Sequence, residues 1–179
     1  MKHVVDVGRP VSGDVIELIL EDHRLFEELL RNLRDTSSDR AAVRDALATV
    51  LVAHAEAEEK FVYPKLSKRD AVGEDEAEHG AEEHAEGHEA LLAVLELKGT
   101  GTKAFDDAVE ELSGVLNHHI VEEELTILNP AREALGDRAK AELGDLFVKE
   151  RNRQIDDNCG TVENVRKLVA RSRREGKLD

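Results

Sequence analysis

The sequence predicts an all-α protein: an up-down-up-down four-helix bundle with a C-terminal helical extension. Apolar residues recur at steps of three and four along most of the chain, the spacing of one helix face. Aromatics are only 3% of the 179 residues and Trp is absent, so the core must be Leu, Val, Ile and Ala, which suits helix packed on helix. The breaks between stripes are short, and short connections make successive helices antiparallel neighbours.

Residues 1–13 read as an N-terminal arm. Ser12 or Asp14 can cap the first helix, whose face runs Ile16, Ile19, Leu20, His23, Phe26, Leu30, Leu33. The polar stretch Asp35-Thr36-Ser37-Ser38-Asp39 ends it and supplies the next cap. A second helix is predicted from about Arg40 to Tyr63, closed by Pro64, with Val43, Leu47, Val50, His54, Glu58 and Phe61 in line. A carboxylate inside an apolar stripe is anomalous, because burying it unpaired costs several kcal/mol.

Gly73 marks the next break. Helix three is predicted over roughly residues 74–98, with His84, His88, Leu91 and Leu95 on one face. Gly99-Thr100-Gly101-Thr102 is a turn. Helix four follows from Lys103, with Phe105, Val109, Leu112, Leu116, His119, Glu123 and Ile127 in line and Pro130 near its end or kinking it. The bundle is thus expected over residues 14–135 and the extension over 136–179. In the extension, Asp137 is expected to cap a fifth helix with Ala141, Leu143, Leu146 and Phe147 as its apolar face. Thr161 is expected to cap a sixth, basic one. Its Arg166, Lys167, Arg171, Arg173 and Arg174 read as a solvated face, with docking on an acidic helix as the alternative.

A net charge of −15 disfavours nucleic acid and anionic membrane as partners. No apolar run approaches the roughly 20 residues that span a bilayer. The N-terminus has no apolar leader segment, and Cys159 is alone and cannot form an intrachain disulfide. These features predict a cytoplasmic protein, with Cys159 an inert thiol near a turn.

Three pairs of candidate metal ligands share one offset. His23 returns as His88, His54 as His119 and Glu58 as Glu123; 88−23, 119−54 and 123−58 all equal 65. Leu47, Val50 and Leu51 return as Leu112, Val115 and Leu116. Residues four apart on a helix stand one turn above each other. His54 with Glu58, His84 with His88, and His119 with Glu123 can therefore each address one centre. Adding His23 makes seven candidate ligands on four core stripes. The set is too large for a tetrahedral zinc site and too rich in nitrogen for magnesium or calcium. It suits a pair of iron ions, with manganese second. His3 and His79 fall off the stripes and read as surface residues. His118 neighbours His119, and the repeat favours His119.

His23, His54-x-x-x-Glu58, His84-x-x-x-His88 and a fourth-helix His before Glu123 resemble the hemerythrin and HHE cation-binding family over about residues 14–132. The resemblance implies two non-haem iron ions with an oxo or hydroxo bridge. One would take His84, His88 and His119 and the other His23 and His54, with Glu58 and Glu123 bridging. Two features depart from the family's small oxygen carriers. They have an Asp at the second bridging position, five residues after the His, and they lack a segment corresponding to that after Gly136.

The expected function is binding or sensing of O2 or a related small oxidant, such as peroxide or nitric oxide. Alternatives are a di-iron enzyme of peroxide detoxification, catalase-like in its reaction, and iron handling or storage. Ile19, Leu20, Val50 and Leu116 predict an apolar pocket, and no acid or base other than the ligands lies on the stripes. Both features favour binding or sensing.

Overall fold

The computed structural model describes residues 4–179, and every regular element among them is helical. His3 lies outside the described residues. Six continuous helices form. They are α1 (Val15–Arg34), α2 (residues 40–68), α3 (Glu74–Leu95), α4 (residues 103–134), α5 (Asp137–Asp156) and α6 (Val162–Arg174). The first four make the bundle: α1 packs on α2 and α4, and α3 packs on α2 and α4. The extension does not hang free. Helix α5 lies on α1 and α2, and α6 lies on α3. No helix among the described residues is long and apolar enough to cross a membrane.

The caps explain the helix starts. Asp14, Asp39, Thr102 and Thr161 each accept a hydrogen bond from a backbone N–H of the first turn. Helix α5 starts differently from expectation. Gly136 is its cap, and Asp137 is already in the first turn, where its charge favours the helix dipole. Helix α3 ends at Leu95, a few residues before the expected Lys98.

Pro64 does not close α2, and Pro130 does not close α4. Both helices pass through a π-helical turn, Glu58–Val62 and Glu124–Leu128, and continue as α-helix to Lys68 and Ala134. The Tyr63 N–H bonds to the Glu58 carbonyl and the Asn129 N–H to the Glu124 carbonyl, each five residues back. A proline lacks the N–H of a regular ladder and clashes with the carbonyl four residues before it. Here the wider turn has opened the ladder just ahead of each proline.

Two apolar clusters fill the interior. Phe26, Leu30, Leu47, Leu91, Phe105 and Leu112 belong to one, and Ile16, Ile19, Val62, Leu66, Ile127 and Phe147 to the other. His23 lies between Ile19 and Phe26 in α1, and His54 lies between Ala53 and Ala57 in α2. The candidate ligands therefore occupy a polar layer between the two clusters. The extension adds to both: Leu143 and Phe147 to one, Val165 and Val169 to the other. Ala141 is exposed and takes no part in the α5 face. Three of the five basic residues of α6 are not merely solvated. Arg166 pairs with Glu96, Arg171 with Glu56 and Arg173 with Glu89.

Candidate metal centre

All seven predicted ligand residues are buried, and Glu58 and His54 are wholly so. Two groups of four have potential donor atoms within 4.8 Å of one another. They are His23, His54, His119 and Glu123, and His54, Glu58, His84 and His119. Each carboxylate lies between two imidazoles from different helices. Glu123 Oε2 is 3.0 Å from His23 Nε2 and 3.3 Å from His119 Nε2. Glu58 Oε2 is 3.2 Å from His54 Nε2 and 3.1 Å from His84 Nε2. His88 stands apart from both groups, buried one turn beyond His84, and its Nε2 has no hydrogen-bond partner. Of the adjacent pair on α4, His119 is buried and its neighbour His118 is exposed.

An outer ring of carboxylates sets the orientation of four imidazoles. His23 Nδ1 is 2.9 Å from Glu124, His54 Nδ1 3.0 Å from Asp22, His84 Nδ1 3.0 Å from Glu59 and His119 Nδ1 3.1 Å from Glu83. Each ring donates from Nδ1 outward, which leaves Nε2 turned inward. Carboxylate–imidazole pairs of this kind fix the tautomer and angle of metal-binding histidines.

This ring also corrects the repeat. His23 and His84 occupy matching places, each donating to the acid that follows the core Glu of a partner helix. The offset is 61 (84−23), not 65, and Asp22 and Glu83 share it (83−22). On α2 and α4 the offset stays 65, for His54 and His119, Glu58 and Glu123, and Glu59 and Glu124. His88 therefore has no counterpart at His23. The four outer acids lie off the apolar stripes, with partners on other helices. Yet each is the sequence neighbour of a core residue, and Glu59 and Glu124 follow the repeat.

Tyr63 is a fifth residue the sequence did not reveal. Its hydroxyl donates to Glu123 Oε1 (2.9 Å) and lies 3.4 Å from Glu58 Oε2. Its ring stacks on His84 at 5.6 Å, tilted by 8°. On a regular helix, residues five apart sit about 140° apart around the axis. The π turn brings Tyr63 back toward the face of Glu58. Gly80 makes room for it, since a Cβ there would stand 3.0 Å from the Tyr63 ring and hydroxyl. The expectation concerned the stripes alone, and Tyr63 brings an acidic hydroxyl to the layer from off them.

Burial pushes the His23 and His84 imidazoles down, but hydrogen bonds to their carboxylate partners outweigh it and raise both to about 10. Burial, helped by the charge of His84, pushes His88 down to about 4. Burial opposes ionisation of Glu59, but the hydrogen bond and charge of His84 hold it at about 2. Burial, then the charges of Glu123 and Glu58, keep Tyr63 a protonated phenol. Protonated imidazoles thus balance the buried carboxylates where a cation would do the same. The Nε2 atoms of His54, His88 and His119 and Glu58 Oε1 have no hydrogen-bond partner. Together with Glu123, His23 and His84, and with His88 set apart, these atoms make a nitrogen-rich, two-carboxylate donor set that fits metal ions.

Cys159 has no place in this chemistry. Its thiol is buried, donates to the Thr49 carbonyl, and is pushed by burial up to about 12.

The hemerythrin HHE cation-binding domain family matches residues 14–131. The chain is 27% identical over 125 residues to a DNA nickase of Nostoc sp. (strain PCC 7120 / SAG 25.82 / UTEX 2576), an alignment covering 68% of this chain and 34% of that protein. The chain thus spans about a third of the length of that relative. No solved structure matches it.

Proposed function

This chain belongs to the hemerythrin HHE cation-binding family, and from that premise we propose that it holds two iron ions and binds or senses O2 or a related small oxidant. His23, His54, His84, His88 and His119 would supply nitrogen, and Glu58 and Glu123 would bridge, beside the oxo or hydroxo group the resemblance implies. The observation that carries this reading is the doubled arrangement. Two buried carboxylates each lie between imidazoles of different helices, and four imidazoles are turned inward by an outer acid. When bound, the irons would supply reversible electron transfer to a small ligand.

The chain's own residues set the conditions for it. The two apolar clusters exclude bulk water above and below the polar layer. A surface groove of about 360 Å³ is lined by Glu59 and Tyr63, whose side chains bond to His84 and Glu123 of the layer, and by Lys177. A net charge of −15 opposes binding to a phosphate backbone.

Anaerobic reduced protein, loaded with iron, would be mixed with O2 by stopped flow and followed optically. A coloured species that reverses when O2 is removed supports binding or sensing. No response to O2, peroxide or nitric oxide would overturn the proposal and leave iron handling. One observation favours a second reading, peroxide disproportionation. The Tyr63 hydroxyl holds a proton 2.9 Å from Glu123, where a reacting oxygen would need one. Sustained O2 release from added peroxide would select it.

A further inference from the structure

The largest fully buried side chain belongs to the extension, beyond the residues that the family match covers: Arg151, 1% exposed on α5. Its Nε and one terminal nitrogen donate to both oxygens of Asp22, at 2.8 to 3.1 Å. Its remaining donors go to the carbonyls of Val7 (2.9 Å) and Gly8 (3.0 Å) and to Asn152. Asp22 in turn accepts from His54 Nδ1 at 3.0 Å. Four residues earlier on α5, Phe147 sets its edge against the His54 ring at 5.7 Å, and Phe26 closes the other side at 5.0 Å. His54 is thus enclosed on one side by the extension.

The matching place in the other half is built differently. Glu83 holds His119 as Asp22 holds His54, but no arginine grips Glu83. Among the described residues its other oxygen faces only His118, at 3.2 Å, and His79, at 3.7 Å, both exposed. The two halves of the layer therefore differ in the support of this outer acid.

We propose that Arg151 is a positioning residue of the metal centre, fixing Asp22 so that His54 keeps Nδ1–H outward and Nε2 toward the metals. The inference rests on the metal-centre reading above and extends the centre beyond the family's four helices. A bidentate guanidinium pins both oxygens of a carboxylate, which a single lysine charge does not. With Asp22 held flat against it, only one carboxylate direction remains for His54. An outer partner lost from a metal-binding histidine typically weakens binding by roughly 10- to 100-fold.

The alternative is that Arg151 only clamps the extension to the arm through Val7 and Gly8. Asp22→Asn separates the two roles, because it leaves those carbonyl bonds intact. The test uses the full chain with Arg151→Gln, Arg151→Lys and Asp22→Asn. The first readout is proton NMR of the metal-free protein, following exchange of the imidazole Nδ1 protons of His54 and His119. The second is titration with Co(II), read by its visible bands. In the wild type the His54 Nδ1 proton should exchange slowly. Arg151→Gln and Asp22→Asn should speed that exchange at least tenfold, leave the His119 proton unchanged, and weaken the tighter Co(II) binding by roughly 10- to 100-fold. Arg151→Lys should restore part of both.

A folded Arg151→Gln or Asp22→Asn protein with both readouts unchanged would overturn the proposal. So would an effect of Arg151→Gln with none from Asp22→Asn, which identifies a clamp. If Arg151→Gln does not fold, Asp22→Asn decides alone. A wild type that shows the slow proton but binds no Co(II) would sink the metal-centre reading and leave the Arg151–Asp22–His54 relay standing.

Discussion

Tyr63 stands where α2, α3 and α4 meet, with its hydroxyl against Glu123 and its ring on His84. Replacing it with Phe keeps the ring and removes one hydrogen bond to a buried carboxylate. The expected result is a folded protein with unchanged iron content, since the seven proposed ligands are untouched. If the second functional reading holds, peroxide turnover should fall by roughly 10²-fold or more, the range of a lost proton-transfer group. Iron analysis and O2 evolution measure the two separately; iron loss in Tyr63→Phe would show Tyr63 to be part of the binding set. The neighbours His118 and His119 give a second test. His119→Ala should lose at least one metal per chain, and His118→Ala should keep both. At this scale the sequence displayed the core donors, because a His or Glu on an apolar stripe is conspicuous. It hid Tyr63, whose direction depends on a π turn. It also hid Asp22, Glu59, Glu83 and Glu124, whose partners lie on other helices.

The helices themselves were legible to within a few residues wherever a polar cap followed a stripe, as at Asp14, Asp39, Thr102 and Thr161. The errors cluster where local rules compete. Pro64 read as a stop, but the π turn before it lets α2 run on to Lys68, whereas Pro130 lies near the end of α4 as expected. The 65-residue offset was true of α2 and α4 and misled for α1 and α3, because the interval from His84 to His119 exceeds that from His23 to His54. The extension was the least legible part, because its grip depends on close backbone approaches and on a charge with no stripe around it. Glycines test that grip. A Cβ on Gly144 of α5 would stand 1.8 Å from the Gly13 carbonyl oxygen, whereas one on Gly114 of α4 would meet nothing within 4 Å. Gly144→Ala should therefore destabilise by about 1–3 kcal/mol, the usual cost of overpacking. Gly114→Ala should stabilise by about 0.5–1 kcal/mol through helix propensity. Denaturant melts of the two variants should move in opposite directions; a shift of the same sign in both would show that α5 does not dock where Gly144 meets Gly13.

For the whole molecule, the polar layer couples stability to protons and to metal. In the metal-free protein His23 and His84 titrate near 10, above the ordinary imidazole value of 6.5. Between those values the folded state binds more protons than the unfolded state, so stability falls as pH rises. His88, held near 4, has the opposite sign. Between pH 4 and 6.5 the unfolded state binds more protons, so stability falls as pH falls. Metal-free protein should thus be most stable near pH 6.5 and should lose Tm steadily from pH 7 to 10. Metal changes the alkaline limb. An imidazole Nε2 cannot hold a proton and a metal together, so loading must release protons, and apparent affinity must climb with pH through the same window. Metal-loaded protein should therefore hold its Tm from pH 7 to 10, so that the gap between the two forms widens as protons leave. Calorimetric metal titrations in buffers of different ionisation enthalpy would count the protons released. A metal-free Tm that rises toward pH 10, or metal uptake without proton release, would mean that the imidazoles facing Glu58 and Glu123 do not carry the protons that balance those carboxylates.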